Sequence, residues 1–393
     1  MTDPSVLLAR YRPIVQYDSL ESYYTASSGV ITDHPGNTLK RLDGTLLASA
    51  TAGAPGGGVP VLTLGFLRPD RYPTGDAVLA TDYLDESGAD YVAAALEMHA
   101  MPGYANKAHG RVAQQDGVTW LQYWFFMYYD NAGFFDAGTH EGDIEMVQLR
   151  LDAEGRPQEV SYAQHRTGVR APWSYVEQEQ GAPVVYSARG SHASMLRAGT
   201  IVSDRSFLPD HNDGRGPRVR LELVALAPEL TPWAFWPGVW GGTRPPDPAL
   251  GKLGVEANSP VAPTRHLPWR DPAGFHESCD RDQLPPLGRL HVADLHVPPQ
   301  PRIDLTPHPE RGVLSINYKI PDAGRAAPRG LVIGVRRAGH GHPAASTLIP
   351  NPGASGEIEA PLGAGPVEVR AATHSEEGAV SETTAALADP PAH

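Results

Sequence analysis

The residues with the clearest chemical potential form a short His-x-x-Asp-x-Glu pattern, made by His140, Asp143 and Glu145. From Asp143 to Leu151 the sequence alternates like a β-strand, so the two acids should share a face with the aliphatic residues that follow them. Burying an ionised carboxylate without a partner is costly, and two neighbouring carboxylates repel each other. A cation or strong hydrogen-bond donors must therefore lie between them.

Two explanations account for this pair of acids. One imidazole and two carboxylates form an oxygen-rich donor set, which predicts a divalent cation at His140, Asp143 and Glu145, with Ca²⁺ or Mg²⁺ preferred over Zn²⁺. In the other explanation, the acids form ion pairs with arginines at the end of a strand. Spacing alone leaves both open, because short patterns of histidine and acids are common by chance.

A long aromatic segment precedes the acid-bearing strand. Asp116 and Gly117 form a tight-turn signal between a strand that starts at Gly110 and a strand over residues 118–129, so the two strands should form a hairpin. Aromatic residues occur at both odd and even positions of the second strand. This predicts a central strand that is covered on both faces.

The strand after the acids should run back beside them. Residues 152–155 form a turn signal, and residues 158–165 then return as an antiparallel neighbour. An antiparallel hairpin brings late residues of one strand beside early residues of the other. Gln164 and His165 are therefore expected beside Asp143 and Glu145.

A further β run over residues 183–188 ends in a donor-rich turn that contains Arg189, Ser191 and His192. Ser191 and His192 are not a convincing nucleophilic pair, because adjacent residues on an extended chain diverge and no nucleophile elbow is present. Arg189 is a candidate partner for an anionic group of a ligand. A structural ion pair is the alternative for Arg189.

Several of these segments, in this order, resemble the Vps62-like (vacuolar protein sorting-associated protein 62) family. They are residues 120–131, 140–145, 162–165 and 185–193. The central motif of that family is similar to that of the necrosis- and ethylene-inducing peptide-like (NLP) cytolysins, which also reads His-x-x-Asp-x-Glu and holds a divalent cation. The resemblance covers roughly residues 10 to 280. Both families usually carry Trp between the two acids, where this chain has Ile144, and this difference affects packing more than ligation.

The resemblance implies a cation site that His192 serves as a ligand or as a supporting donor. If the protein is an enzyme, His165 or His192 would be the general base. A polar ligand at such a site would contact Asn131, Gln164, Arg189, Ser191 and Trp240. Trp240 lies in a Pro/Gly-rich segment with two other tryptophans, where closure of the core is the simpler explanation. It remains a candidate because aromatic faces beside a cation also stack on sugar rings.

Three functions are compatible with the pattern. The preferred one is a divalent-metal-dependent binding protein that recognises a small polar ligand, such as a glycan or a lipid head group. The alternative is a metal-dependent enzyme, such as a hydrolase, that uses the same residues. In the third, the cation only ties strands together.

Composition limits the other possibilities. The chain has 393 residues, a formal net charge of −13 and one cysteine, Cys279. We therefore expect no nucleic-acid partner, no intramolecular disulfide and no cysteine-based zinc site. Adsorption to anionic membranes is disfavoured, although peripheral membrane contact stays open. Without a signal-peptide pattern or a spanning apolar segment, we expect a cytoplasmic protein or one exported without a cleaved signal.

The high Gly and Pro counts, 41 and 39, favour a mainly β fold with long loops and a short helix or two. The best short-helix candidate covers residues 91–99. We expect a metal-binding β-sandwich over residues 1–285 and a Pro-rich linker over residues 286–300. Short, regularly spaced β runs over residues 301–393 resemble a smaller fibronectin type III or immunoglobulin-like sandwich.

Overall fold

In the computed structural model, 47% of the residues that the structure describes are in strands and 15% are in helices. The protein is therefore mainly β, which confirms the predicted fold class. The structure describes residues 4–32, 34, 36–49, 67–86, 91–131, 139–165, 167–201, 210–242, 259–280, 298–321, 328, 330–337, 345–362, 365–374 and 380–388. Most of the predicted linker, residues 286–297, lies outside these ranges. The description that follows concerns these ranges only.

The elements are as follows. The strands are β1 (Ile14–Gln16), β2 (Thr38–Lys40), β3 (Leu46–Ser49), β4 (Tyr83–Asp85), β5 (Lys107–Gln115), β6 (Val118–Asp130), β7 (His140–Leu151), β8 (Pro157–Gln164), β9 (Thr167–Pro172), β10 (Gln178–Glu179), β11 (Ala182–Ser187), β12 (Ser194–Met195), β13 (Gly199–Ile201), β14 (Asp210–Asn212), β15 (Arg218–Arg220), β16 (Glu222–Ala225), β17 (Arg302–His308), β18 (Val313–Lys319), β19 (Gly330–Arg337), β20 (Ala345–Pro350), β21 (Ser355–Pro361), β22 (Val367–His374) and β23 (Val380–Leu387). The α-helices are Pro4–Arg10, Gly29–Thr32, Tyr91–His99, Leu267–Arg270 and Pro272–Ser278, and the 3₁₀ helices are Trp173–Tyr175, Pro232–Phe235, Pro263–Arg265 and Pro309–Arg311. None of these helices is long and apolar enough to cross a membrane.

A six-stranded sheet organises the N-terminal part, with strand order β16-β5-β6-β7-β8-β9. Both predicted hairpins are confirmed, since β5 pairs with β6 and β7 pairs with β8, each antiparallel. The β5–β6 turn has positive φ at Asp116 (52°) and at Gly117 (76°), the conformation that a two-residue hairpin requires. β6 also pairs antiparallel with β7, so the aromatic strand lies beside the acid-bearing strand.

The two faces of this sheet are both covered, as the aromatic pattern of β6 predicts. Val147, Leu149 and Leu151 lie in one buried cluster that includes Val15 of β1 and Val185 of β11, strands of a second sheet with order β10-β11-β1-β15. The opposite face of β6 is packed by a second buried cluster rich in aromatic residues. Each fully buried large side chain contributes about 1.5–3 kcal/mol relative to exposure, so this double coverage fixes β6 and β7 firmly.

The C-terminal strands form two sheets, with orders β17-β18-β21 and β20-β19-β22-β23. Their apolar side chains share one buried cluster whose members all come from residues 303–387. The hydroxyls of Ser381 and Thr373 donate hydrogen bonds to the carbonyls of Pro298 and Pro299, respectively. These contacts tie the start of this region to its own sheet. The domain boundaries remain a prediction.

Candidate metal centre

The pairing of β6 with β7 places Asp130 directly opposite His140, and Met127 opposite Asp143. On a regular strand, His140 and Asp143 would project to opposite faces, because their positions differ by an odd number. Gly142 interrupts the alternation with a φ of 65°. As a result, a ring nitrogen of His140 and one carboxylate oxygen from each of Asp130 and Asp143 lie within 4.8 Å of one another. Such a group could hold a metal ion.

Only glycine fits at position 142. A Cβ there would lie 2.9 Å from the Trp240 carbonyl oxygen and 3.0 Å from Ile31 Cδ1, in a backbone conformation that side chains rarely adopt. The carbonyl of Gly142 accepts a hydrogen bond from His140 Nδ1 at 2.6 Å. Because a carbonyl oxygen only accepts, Nδ1 carries a hydrogen, and the other ring nitrogen, Nε2, lies 3.5 Å from Asp130 Oδ2. Histidines that bind metals commonly donate their other ring N–H in this way.

Two buried carboxylate oxygens on β6 and β7 have no hydrogen-bond partner, and only the first belongs to a residue of this group. They are Oδ1 of Asp130 and Oε2 of Glu145, judged against the described part of the chain. Burial raises the pKa of Asp130 to about 6. Burial, followed by the negative charge of Asp143, raises the pKa of Glu145 well above its ordinary value. An orphaned buried carboxylate is costly, and a cation held by the group would satisfy Asp130 Oδ1.

His192 supports Asp143 from behind. Its Nδ1 donates to Asp143 Oδ2 at 2.9 Å, and its Nε2 lies 3.8 Å from Glu21 Oε1, an ion-pair distance that is too long for a hydrogen bond. Glu21 Oε2 in turn accepts from the backbone N–H of Gly190. Burial lowers the pKa of His192, but the hydrogen bond to Asp143 and the charge of Glu21 outweigh it and hold this pKa well above its ordinary value. The ring is therefore positively charged and lies between the carboxylates of Asp143 and Glu21.

His165 lies at the open side of the centre. Its backbone N–H donates to Glu145 Oε1 at 3.2 Å, so the residue holds Glu145 through the main chain. Its Nε2 lies 3.2 Å from both carboxylate oxygens of Asp210, and the charge of Asp210 raises the pKa of His165 to about 10. Ser191 Oγ donates to the same Asp210 at 2.6 Å. The side chain of His165 is 40% exposed.

Three other residues were predicted to contact a polar ligand, and each makes a different contact in the structure. The backbone N–H of Asn131 donates to the Gly190 carbonyl at 2.9 Å, which ties the end of β6 to the turn that carries His192. Gln164 Nε2 donates to the Ser194 carbonyl at 3.1 Å. Arg189 is exposed in this turn. In their described contacts, Asp143 and Glu145 are engaged by histidines and not by the arginines of the alternative explanation.

Trp240 has no face available for stacking on a ligand. Its side chain is fully buried, with edge-on contacts to Phe126, Trp233 and Trp236 at centroid distances of 5.2–5.7 Å. Its carbonyl lies against Gly142, so it packs behind the centre. Trp240 therefore closes the core, which is the simpler of the two explanations given above.

Sequence reasoning missed Asp130, Glu21 and Asp210. Asp130 ends the aromatic strand, and antiparallel pairing of that strand with the next one would have placed it beside His140. Glu21 and Asp210 come from distant segments, and no local spacing connects them with the motif.

No family model and no curated protein sequence matches the chain. Similar solved structures include "NLPPya in complex with mannosamine", at 13% identity over 58% of this chain and 75% of that chain, with a TM-score of 0.28. They also include "non-toxic HaNLP3 protein", at 11% identity over 72% and 94% of the two chains, with a TM-score of 0.32. A third is Necrosis and Ethylene inducing Protein 2 from the causal agent of cocoa's Witches Broom disease, at 13% identity over 59% and 76%, with a TM-score of 0.28.

Some solved structures similar to this chain are therefore NLP proteins, at low identity. Likeness at these TM-scores does not establish a shared function. Neither the resemblance to the Vps62-like family nor the fibronectin type III or immunoglobulin-like assignment is matched by a family model, so both remain predictions.

Proposed function

We propose that this protein binds one divalent cation, Ca²⁺ or Mg²⁺ in preference to Zn²⁺, and uses it to recognise a polar ligand such as a glycan or a lipid head group. The ligands would be Asp130, His140 and Asp143, with Glu145 as a fourth. The observation that carries the proposal is the grouping of side-chain atoms from Asp130, His140 and Asp143 within 4.8 Å of one another, with His140 Nδ1 engaged by the Gly142 carbonyl and Nε2 facing Asp130.

The charge balance supports a cation. Asp130, Asp143 and Glu145 are all buried on adjacent strands, and both charged histidines beside them already have other acids as partners: His192 is shared between Asp143 and Glu21, and His165 pairs with Asp210. Two buried carboxylate oxygens in this group have no described partner. Three carboxylates with one imidazole make an oxygen-rich set, which hard cations prefer.

The surroundings of the centre support recognition of a polar ligand. The exposed ring of His165 and the exposed side chain of Arg189 mark the side that faces solvent. Ca²⁺ takes six to eight oxygen ligands and Mg²⁺ retains several waters, so protein side chains alone would leave positions for oxygens of a ligand. Charged donors beside these positions would favour hydroxyl, phosphate or carboxylate oxygens.

The second candidate is a metal-dependent enzyme that uses His165 or His192 as general base. The contacts favour it less, because His192 Nδ1 is committed to Asp143 and His165 Nε2 is held between the oxygens of Asp210. A base needs a ring nitrogen within reach of the proton that it removes.

The test is a screen of the full-length protein, with and without chelator, against glycans, sphingolipid head groups, and phosphoester and ester substrates. A chelator-sensitive complex without turnover would support binding, whereas chelator-sensitive turnover would replace it with the enzyme. Absence of any chelator-sensitive interaction would contradict both.

Two variants sharpen this screen. His165→Ala should weaken ligand binding by about 1–3 kcal/mol in a binding protein, the value of a lost charge-assisted contact. In an enzyme it should instead slow turnover by roughly a hundredfold to ten-thousandfold. His308→Ala, which removes a partly exposed histidine of β17, is the matched control and should change neither.

A further inference from the structure

A group of buried oxygen atoms without hydrogen-bond partners lies where β2 meets β4. Thr38 pairs with Asp85, so the antiparallel register continued by one position sets Asn37 directly opposite Glu86, with Cβ atoms about 4.5–5.5 Å apart. Among the residues that the structure describes, both carboxylate oxygens of Glu86 and Oδ1 of Asn37 have no hydrogen-bond partner. Glu86 is 3% exposed and Asn37 is 0% exposed. Unsatisfied buried acceptors are costly, so a positively charged occupant would stabilise this group.

His34 brings a ring nitrogen to the same group. Its carbonyl accepts a hydrogen bond from the N–H of Asn37 at 3.0 Å, so a tight turn folds the imidazole toward Glu86. Nδ1 of the ring is in contact with Oε1 of Glu86, but the contact lacks the geometry of a hydrogen bond. Nδ1 instead accepts from the backbone N–H of Gly36 at 3.4 Å, so it carries a lone pair. Two acceptor atoms in contact repel each other unless positive charge lies between them.

A proton on Glu86 would serve only one of these contacts. It would lie between Oε1 and Nδ1 of His34 and would leave Oδ1 of Asn37 without a partner. The amide of Asn37 cannot turn to correct this, because its Nδ2 donates to the carbonyl of Ile31. A metal ion can be bound by a ring nitrogen, a carboxylate oxygen and an amide oxygen together. A metal ion therefore accounts for more of the observed contacts than a proton does.

The surroundings of Glu86 favour a cation. Burial, followed by the charge of Glu86, raises the pKa of Tyr128, whose buried hydroxyl has no hydrogen-bond partner in the described part of the chain. The carboxylate of Glu141 accepts from the backbone N–H of Glu86 at 3.1 Å and adds a second negative charge. The amine of Lys40 pairs with Asp85 instead. Buried negative charge of this kind attracts a cation.

An ion can reach this group from solvent. The side chain of His34 is 23% exposed. Burial lowers the pKa of His34 and favours its neutral ring, while the charge of Glu97 acts in the opposite direction. Glu97 is exposed on the helix Tyr91–His99, so it places a further carboxylate near the entrance. The group shares no residue with the candidate metal centre.

We propose that His34, Asn37 and Glu86 form a second metal site, which takes a first-row transition-metal ion such as Zn²⁺ or Co²⁺. Nδ1 of His34, a carboxylate oxygen of Glu86 and Oδ1 of Asn37 would be the ligands. The hydroxyl of Tyr128 would donate to the other oxygen of Glu86 and hold the carboxylate in place. One imidazole with only one carboxylate favours these ions over Ca²⁺ and Mg²⁺. The site does not depend on the function proposed above.

A titration with Co²⁺ tests the site, because Co²⁺ bound by nitrogen and oxygen ligands absorbs visible light. The metal-free, full-length protein carries Asp143→Asn and Glu145→Gln and no affinity tag, so the candidate centre on β7 is disabled. It should bind one equivalent of Co²⁺, which Zn²⁺ should displace, and Zn²⁺ should raise its melting temperature. Wild-type protein in excess Mg²⁺ is the second background and should give the same result. Absence of saturable Co²⁺ binding in both backgrounds would overturn the proposal.

Single variants in the same backgrounds test the location. His34→Ala and Glu86→Gln should each weaken Co²⁺ binding at least about tenfold. His308→Ala is the matched control, because Nδ1 of His308 lies 3.6 Å from Oε1 of Glu310 and forms another pair of a histidine with a glutamate. It should leave Co²⁺ affinity unchanged. Unchanged affinity in His34→Ala or Glu86→Gln, or an equal loss in all three variants, would contradict the proposed site.

Discussion

Replacement of Gly142 by alanine should destabilise the N-terminal sheets and disrupt the candidate metal centre together. The left-handed backbone at φ 65° costs a residue with a Cβ about 1–2 kcal/mol. The added Cβ would lie 2.9 Å from the Trp240 carbonyl, and relief of such overpacking costs about 1–3 kcal/mol. Together these effects predict a loss of about 2–5 kcal/mol in the free energy of unfolding. Any shift of the backbone also moves the Gly142 carbonyl that accepts the hydrogen bond from His140 Nδ1.

The assay is urea-induced unfolding followed by tryptophan fluorescence, which reports only the N-terminal part because all 7 tryptophans lie between Trp120 and Trp269. Gly117→Ala is the matched control, since Gly117 has a similar φ of 76° and no atom within 4 Å of the added Cβ, so it incurs only the backbone cost. Cation at a hundred times its Kd should stabilise the wild type and Gly117→Ala by about 2.7 kcal/mol. Gly142→Ala should lose most of this gain. If the two alanine variants behave alike in both respects, the reasoning about Gly142 is wrong.

Three other predictions follow from the contacts described. His192→Ala should cost about 3–5 kcal/mol, because it leaves Asp143 and Glu21 buried without their shared cation, and added Ca²⁺ should recover part of this loss in the same urea assay. Burial raises the pKa of Glu86 from 4.5 to about 8, so the folded state keeps a proton that the unfolded chain releases, and stability should fall as pH rises between these values. Glu86→Gln should flatten that fall when unfolding is compared at about pH 5 and about pH 9. A fragment of residues 297–393 should unfold cooperatively when followed by circular dichroism, because its buried cluster is built from its own strands, and a random-coil spectrum would contradict the proposed domain.

The strands around the centre could be predicted from sequence because local signals specify them. The turn at Asp116 and Gly117 defines one hairpin, and the alternation after Asp143 defines the acid-bearing strand and its buried face. The return of β8 brings the backbone of His165 to Glu145, as antiparallel pairing requires. In each case a short stretch of sequence contains the information.

The remaining features depend on backbone conformation or on distant segments. His140 joins Asp143 only because Gly142 adopts a positive φ, which a simple alternation pattern does not reveal. Glu21 reaches His192 from the start of the chain. Trp240 is buried by packing against residues of β6, and its segment alone did not distinguish closure of the core from ligand contact. Long-range packing determines these positions.

The most direct test of the central claim is a calorimetric titration of metal-free protein with Ca²⁺ and with Mg²⁺, accompanied by elemental analysis of the purified protein. The wild type should bind one equivalent of at least one of these ions, and its melting temperature should fall when chelator is added. Asp143→Asn combined with Glu145→Gln should abolish both the binding and the response to chelator. No bound metal, no heat of binding and an unchanged melting temperature in the wild type would contradict the proposed centre.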